Sequence, residues 1–144
     1  LSLQRRALGI DYGSVRIGVA VSDPLNVVAR GLEVVKNTPD APERIRQLAE
    51  EYDVRVVVVG MPYTLKGETG AKAEEVGRFI ERLRAVLSCE IATMDERFSS
   101  KTAQRSLIDM GVGKKARRAK GIVDRTAAAF ILQEYLDEAR IARP

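Results

Sequence analysis

Ala7-Leu8-Gly9-Ile10-Asp11-Tyr12-Gly13-Ser14-Val15-Arg16-Ile17-Gly18-Val19-Ala20-Val21-Ser22-Asp23 decides how the chain is read. Two short apolar runs, 7–10 and 17–22, flank Asp11-Tyr12-Gly13-Ser14, the pattern of two strands joined by a tight turn. Gly13 is expected to supply a positive φ in that turn. A carboxylate at the end of an apolar strand is costly unless a proton, a cation or hydrogen-bond donors compensate it. The compensation of Asp11 is therefore the question the rest of the sequence must answer.

Moving outward, Val27 to Val35, broken by Gly31, predicts a third strand, and three strands with short links predict an antiparallel meander. Asn37-Thr38-Pro39-Asp40-Ala41-Pro42 is a helix-start signal, and Ile45, Leu48, Ala49 and Tyr52 recur at helical spacing, predicting a helix over 42–51. Val54-Arg55-Val56-Val57-Val58-Val59-Gly60 is the β-branched run of a strand covered on both faces, and its place after a helix implies parallel pairing. Residues 61–70 hold Pro62, Gly67 and Gly70 and predict a loop at the carboxyl end of that strand, where open α/β sheets bind ligands.

Ala73, Val76, Phe79, Ile80, Leu83 and Leu87 mark a second helix whose polar face, with Glu74, Glu75, Arg78, Glu81, Arg82 and Arg84, reads as solvated surface. Glu90 to Met94 predicts a strand ending in Asp95-Glu96-Arg97. A third helix is expected from a cap at Ser99 or Ser100 through Met110, followed by a basic loop over 111–121 and a last helix from about Val123 to Ile141.

Composition narrows the chemistry. The 144 residues carry 24 Lys and Arg against 20 Asp and Glu, a net charge of +4, and no His. One cysteine, Cys89, allows neither an internal disulfide nor a Cys-based zinc site and reads as a small apolar residue before a strand. Acid–base or metal work falls to carboxylates, Lys, Tyr or water, and a hard cation held by oxygens is the default. No apolar run reaches the length needed to span a bilayer and the first residues have no signal-peptide core, so a single cytoplasmic domain over 1–144 is expected.

Three acidic positions stand out: Asp11, Glu96 (or Asp95 beside it) and Asp124. Asp124 precedes Ala128 by one helical turn on the apolar stripe Ala128, Ile131, Leu132, Tyr135 and Leu136, which makes it either an N-terminal cap or a ligand aimed at the strand ends. All three fall on one expected sheet edge, where like charges repel unless divalent cations lie among them. If 54–59 is the strand between the two acid-bearing ones, Gly60 leaves room, since backbones two strands apart are roughly 10 Å apart. Metal ions held this way are the usual device for phosphodiester hydrolysis. The basic residues Lys114, Lys115, Arg117, Arg118 and Lys120, with Arg125 and Arg97, suit a nucleic-acid backbone.

Leu8-Gly9-Ile10-Asp11-Tyr12-Gly13, Arg16-Ile17-Gly18-Val19-Ala20-Val21-Ser22-Asp23, Val59-Gly60-Met61-Pro62, Asp95-Glu96-Arg97-Phe98-Ser99-Ser100 and Val123-Asp124 together resemble the YqgF/RuvX family of Holliday-junction-resolvase-like proteins. The likeness runs through essentially the whole chain. It departs at Thr64-Leu65-Lys66-Gly67, where the family often has Asn-Met-Asp-Gly.

The resemblance implies a ribonuclease H-like α/β fold with a five-stranded mixed sheet flanked by helices. It implies a nuclease acting in maturation of the pre-16S rRNA, with Asp11, Glu96 and Asp124 as the acidic positions, and the carboxylate chemistry of those positions adds the expectation that Mg²⁺ or Mn²⁺ is required. Three other readings are carried forward: a branched-DNA nuclease, a nucleic-acid-binding module without catalysis, and an actin-like ATPase. The last rests on the turn 9–14 and is disfavoured because such enzymes clamp nucleotide between two domains.

Overall fold

A computed structural model describes residues 5–62, 70–95 and 120–141, with side chains in the last segment described over 127–140. The order is β1 (Arg6–Asp11), β2 (Arg16–Ser22), β3 (Ala29–Lys36), α1 (Ala41–Glu51), β4 (Val54–Met61), α2 (Ala71–Val86), β5 (Glu90–Asp95) and α3 (Lys120–Ile141). The helix expected over 99–110, the residues 111–119 of the basic segment and the residues 63–69 lie outside the described residues.

The five strands form one mixed sheet in the order β3-β2-β1-β4-β5. β1 pairs antiparallel with β2 and parallel with β4, and β4 pairs parallel with β5. The meander and the parallel crossover expected from the sequence are both present. β4 lies between the two strands that end in acidic residues, Asp11 on β1 and Asp95 on β5.

Alternation along the strands divides the core into two layers. Leu8, Ile10, Val57 and Val59 pack with Ile45 and Leu48 of α1 and Val76, Phe79 and Leu83 of α2. Ala7, Val56 and Val58 pack with Ala128, Ile131, Leu132 and Leu136 of α3. The sheet is therefore covered on both sides, which is why 54–61 reads as a continuous apolar run. Full burial of each such Val stabilises the fold by roughly 1.5–3 kcal/mol.

β3 starts two residues later than the sequence suggested. Val27 and Val28 stay exposed in the preceding turn, where Asp23 Oδ1 accepts both of their backbone N–H groups at 2.8 and 3.0 Å. The register shifts between Val19 and Ala20, which pair with Glu33 and Gly31, so the break at Gly31 is a β-bulge. Ser22, fully buried, accepts from Ala7 N at 2.8 Å and donates to Asn26 Oδ1 at 2.7 Å.

Gly13 does not have the positive φ expected of it. Its requirement is spatial: a Cβ there would lie 2.3 Å from the Arg16 carbonyl oxygen. The four residues between β1 and β2 fold back so closely that one position has no room for a side chain.

Gly9 meets a similar constraint from the opposite direction. A Cβ on it would lie 2.7 Å from Leu132 Cβ and 2.8 Å from the Ala128 carbonyl oxygen, so α3 rests directly on the β1 backbone. Gly9→Ala forces these elements apart and is expected to cost about 1–3 kcal/mol, measured as a lower midpoint in urea denaturation.

Arg44 of α1 donates from Nε and Nη2 to both carboxylate oxygens of Glu33 on β3, at 2.8 and 2.7 Å. This pair holds the Glu33 carboxyl below its ordinary range, as the two N–H donors do for Asp23. A folded-state value below the unfolded one gives stability that is present above the unfolded pKa and lost as pH falls through the folded one. Stability should decline on acidification below about pH 4.5, and Glu33→Gln should flatten that decline. Because both side chains are partly exposed, the change at pH 7 should stay within about 1 kcal/mol, read from denaturation midpoints across the pH range.

Candidate active site at the carboxyl edge of the sheet

Asp11 is the last residue of β1 and half-buried. Alternation from Ala7 and Gly9 puts it on the face covered by α3. Ile10 pairs with Val59, so Gly60 of β4 lies alongside Asp11. Gly60 alternates with Val56 and Val58 on the same face and contributes no side chain there. The space beside Asp11 toward β5 is thus bounded on β4 by backbone alone.

The direction of α3 follows from its contacts. Leu136, Ala139 and Arg140 line a small cavity with Arg55, near the amino end of β4, while Ala128 and Leu132 lie over Gly9. The helix therefore runs antiparallel to β1 and β4, and its amino-terminal part lies toward the carboxyl edge. Asp124 precedes the middle of the Ala128–Leu132 turn by about six residues, roughly 9 Å of helix. Asp11 lies two residues beyond Gly9, roughly 7 Å of strand. The backbones of Asp11 and Asp124 are thereby brought to nearly the same level along the strand direction.

The helix starts at Lys120, three residues before the expected start. Asp124 consequently lies beyond the first turn and is not its cap, which removes one of the two readings its spacing left open. Lys120 and Gly121 belong to the helix rather than to the basic loop. The side chains of Lys120, Asp124 and Arg125 are not among those described, and Glu96, Arg97, Lys114, Lys115, Arg117 and Arg118 lie outside the described residues.

Asp95 is described, and its register matters. It pairs with Met61 of β4 and follows Met94, which packs on the α3 side, so alternation puts Asp95 on the α1–α2 side, opposite to Asp11. Among the described residues no three His, Cys, Asp or Glu gather as a metal cluster. Cys89 stands immediately before β5, at the far end of the sheet from Asp11, with its thiol pushed up by burial. The structural reading of that cysteine agrees with its place against the core.

A second cluster surrounds the turn that follows Asp11. Tyr12 stacks on Phe79 of α2 at 4.8 Å between ring centroids, and the Lys72 ammonium lies 5.2 Å above the Tyr12 ring. Ser14 Oγ donates to Glu75 Oε2 at 3.2 Å and accepts from Lys72 Nζ at 3.1 Å. Asn37 Nδ2 donates to the Gly13 carbonyl at 2.8 Å, and Asn37 N donates to the Val15 carbonyl at 3.0 Å. Burial raises the Tyr12 pKa, and hydrogen bonding to Tyr12 lowers that of Glu75. Glu75 is therefore not only solvated surface, and the partners in this cluster are too far apart in sequence for local spacing to reveal.

The RuvX family model, described as Holliday junction resolvase, matches residues 5–138. The chain belongs to the RuvX family. Proteins named "Putative pre-16S rRNA nuclease" from Halothermothrix orenii and Geobacillus kaustophilus are 42% and 41% identical to it. The first match covers 92% of this chain and 94% of the relative, the second 94% and 99%.

Among solved structures, the chain is similar to Thermus thermophilus RuvC in complex with a Holliday junction substrate, with a TM-score of 0.59 and 22% identity over 95% of this chain and 96% of that one. The fowlpox virus Holliday junction resolvase superposes with a TM-score of 0.54 at 13% identity, covering 92% and 99%. These likenesses establish the ribonuclease H-like fold, and membership of the RuvX family makes the protein a nuclease, a hydrolase of phosphodiester bonds.

The register makes a direct prediction about the acidic pair on β5. Asp95→Asn should leave cleavage at the parent level, because Asp95 occupies the face away from Asp11. A loss of cleavage matching that of Asp11→Asn would assign Asp95 to the site instead.

Proposed function

We propose that this RuvX-family nuclease depends on Mg²⁺ or Mn²⁺ and acts on the pre-16S rRNA, in maturation of its 5′ end, as one cytoplasmic domain over residues 1–144. The observation that carries the reading is the position of Asp11: a half-buried carboxylate at the carboxyl edge, on the face of α3 and beside Gly60. The names of relatives about 40% identical over nearly their whole length support the RNA substrate.

The residues suit a hard cation. The chain offers no His, and its one Cys stands at the far end of the sheet, leaving carboxylate oxygens as the donors. Asp11, Glu96 and Asp124 would hold the ion. Bound there, it would supply an activated water and neutralise charge on the scissile phosphate.

Lys114, Lys115, Arg117, Arg118, Lys120 and Arg125, with Arg97, would hold neighbouring phosphates and so orient the backbone without reading its sequence. Gly60 keeps side-chain bulk away from the acids, and α3 closes the site from above. A branched-DNA substrate is the second reading, favoured by the description of the family as a Holliday junction resolvase.

Labelled RNA precursor and four-way junction DNA incubated side by side with Mg²⁺ or Mn²⁺ separate these readings. RNA cleavage is expected, and Asp11→Asn should lower it on the order of 10²-fold or more, equivalent to at least about 3 kcal/mol of transition-state stabilisation. Preferential cutting of the junction would select the second reading, full activity of Asp11→Asn would remove Asp11 from the site, and binding of either nucleic acid without cleavage by the parent would leave a binding module. Affinity should fall steeply with salt, and replacing Lys114 and Lys115 with Ala should reduce the slope of log K against log salt by about one per lysine.

A further inference from the structure

The cluster around Tyr12 joins the turn after Asp11 to α2 and to the end of β3. Each residue of the turn between β1 and β2 is gripped from outside the hairpin. Tyr12 is held through its ring by Phe79 and Lys72, and Gly13 through its carbonyl by Asn37 Nδ2. Ser14 is held through its hydroxyl by Glu75 and Lys72, and Val15 through its carbonyl by Asn37 N. These partners come from α2 and from the residue following β3, 22 to 67 positions away in sequence.

The turn begins at the residue after Asp11, and Asp11 itself is the last paired residue of its strand, opposite Gly18. Beyond that pair, no further rung of the β1–β2 ladder fixes the peptide that leaves Asp11. Its direction is set by where Tyr12 and Gly13 are held, and a carboxylate that must converge with others on one ion tolerates little displacement. We propose that Tyr12, Asn37 and Glu75 are positioning residues that hold the Asp11 carboxylate in its working orientation from the opposite face of the sheet. They touch neither substrate nor ion. Lys72 and Ser14 tie Glu75 to the turn.

This inference rests on the nuclease reading of Asp11 and carries its own test. Tyr12→Phe removes the hydroxyl that hydrogen-bonds with Asn37 and Glu75 and keeps the ring on Phe79, so the fold should persist with an unchanged thermal midpoint. Glu75→Ala removes the acceptor of Ser14, whereas Glu75→Gln keeps an oxygen there. Three readouts are combined: steady-state cleavage of RNA, Mn²⁺ binding by calorimetry without nucleic acid, and amide hydrogen exchange over residues 11–15.

Tyr12→Phe and Glu75→Ala should lower kcat by roughly tenfold with KM and salt dependence unchanged, since modest misplacement of a reacting group is costly. They should also weaken Mn²⁺ binding several-fold and speed exchange over 11–15, with Glu75→Gln restoring most of each. Unchanged kcat, or a raised KM at constant kcat, would overturn the proposal. If the parent protein cleaves no RNA, the nuclease reading fails by itself. The Mn²⁺ affinities of the variants then still decide, weakened binding supporting the positioning role and unchanged binding overturning it.

Discussion

The arrangement of the carboxyl edge depends on the backbone of β1 touching the backbone of α3. At Gly9 the helix approaches until only a hydrogen fits between them. This contact sets the height of α3 above the sheet and the point where it crosses β1, and the antiparallel direction of the helix carries its amino-terminal residues from that point toward the level of Asp11. The backbones of Asp11 and Asp124, 113 positions apart in sequence, come to one level along the sheet in an arrangement that a methyl group at Gly9 would obstruct. The apolar packing of Ala128, Ile131, Leu132 and Leu136 supplies the free energy, while Gly9 supplies the distance.

Charge follows from the same construction. The sheet is apolar on both faces along its central strands β1 and β4, so a carboxylate there is tolerated only where the layers end and water or a cation can reach it. Asp11 and Asp95 are both at such ends, yet alternation directs them to opposite faces. The side-chain-free position at Gly60 lies on the face of Asp11 and not on that of Asp95. Strand register thus separates two carboxylates that look equivalent in the sequence.

Much of this was readable from the residues. The strand pattern over 7–23, the β-branched run over 54–59 and the helical spacing of Val76, Phe79 and Leu83 each use a period that burial imposes directly, and the family resemblance named the same fold. Asp11 stood out because a charge at the end of an apolar run has no local explanation. What escaped were the features whose cause lies across the fold. A linear pattern gives Gly13 a torsional role because its crowding by Arg16 is invisible there. Glu75 reads as a solvated charge because its neighbours on the helix are charged, and only the docking of α2 against the hairpin turn gives it partners. The sequence puts the start of α3 three residues late because Lys120-Gly121 resembles the end of a loop, although the helix continues through the glycine. Glu96 and the basic residues 114–118 were chosen from sequence and lie outside the described residues.

Gln133 has an effect beyond docking α3. Its side-chain amide donates to the Val27 carbonyl and accepts from Ala29 N, at 2.8 and 2.9 Å, as a neighbouring strand would. These groups lie at the beginning of β3, which borders the sheet, and open rims of this kind recruit other chains into aggregates. One glutamine on a packed helix closes the start of that rim to intermolecular strand addition.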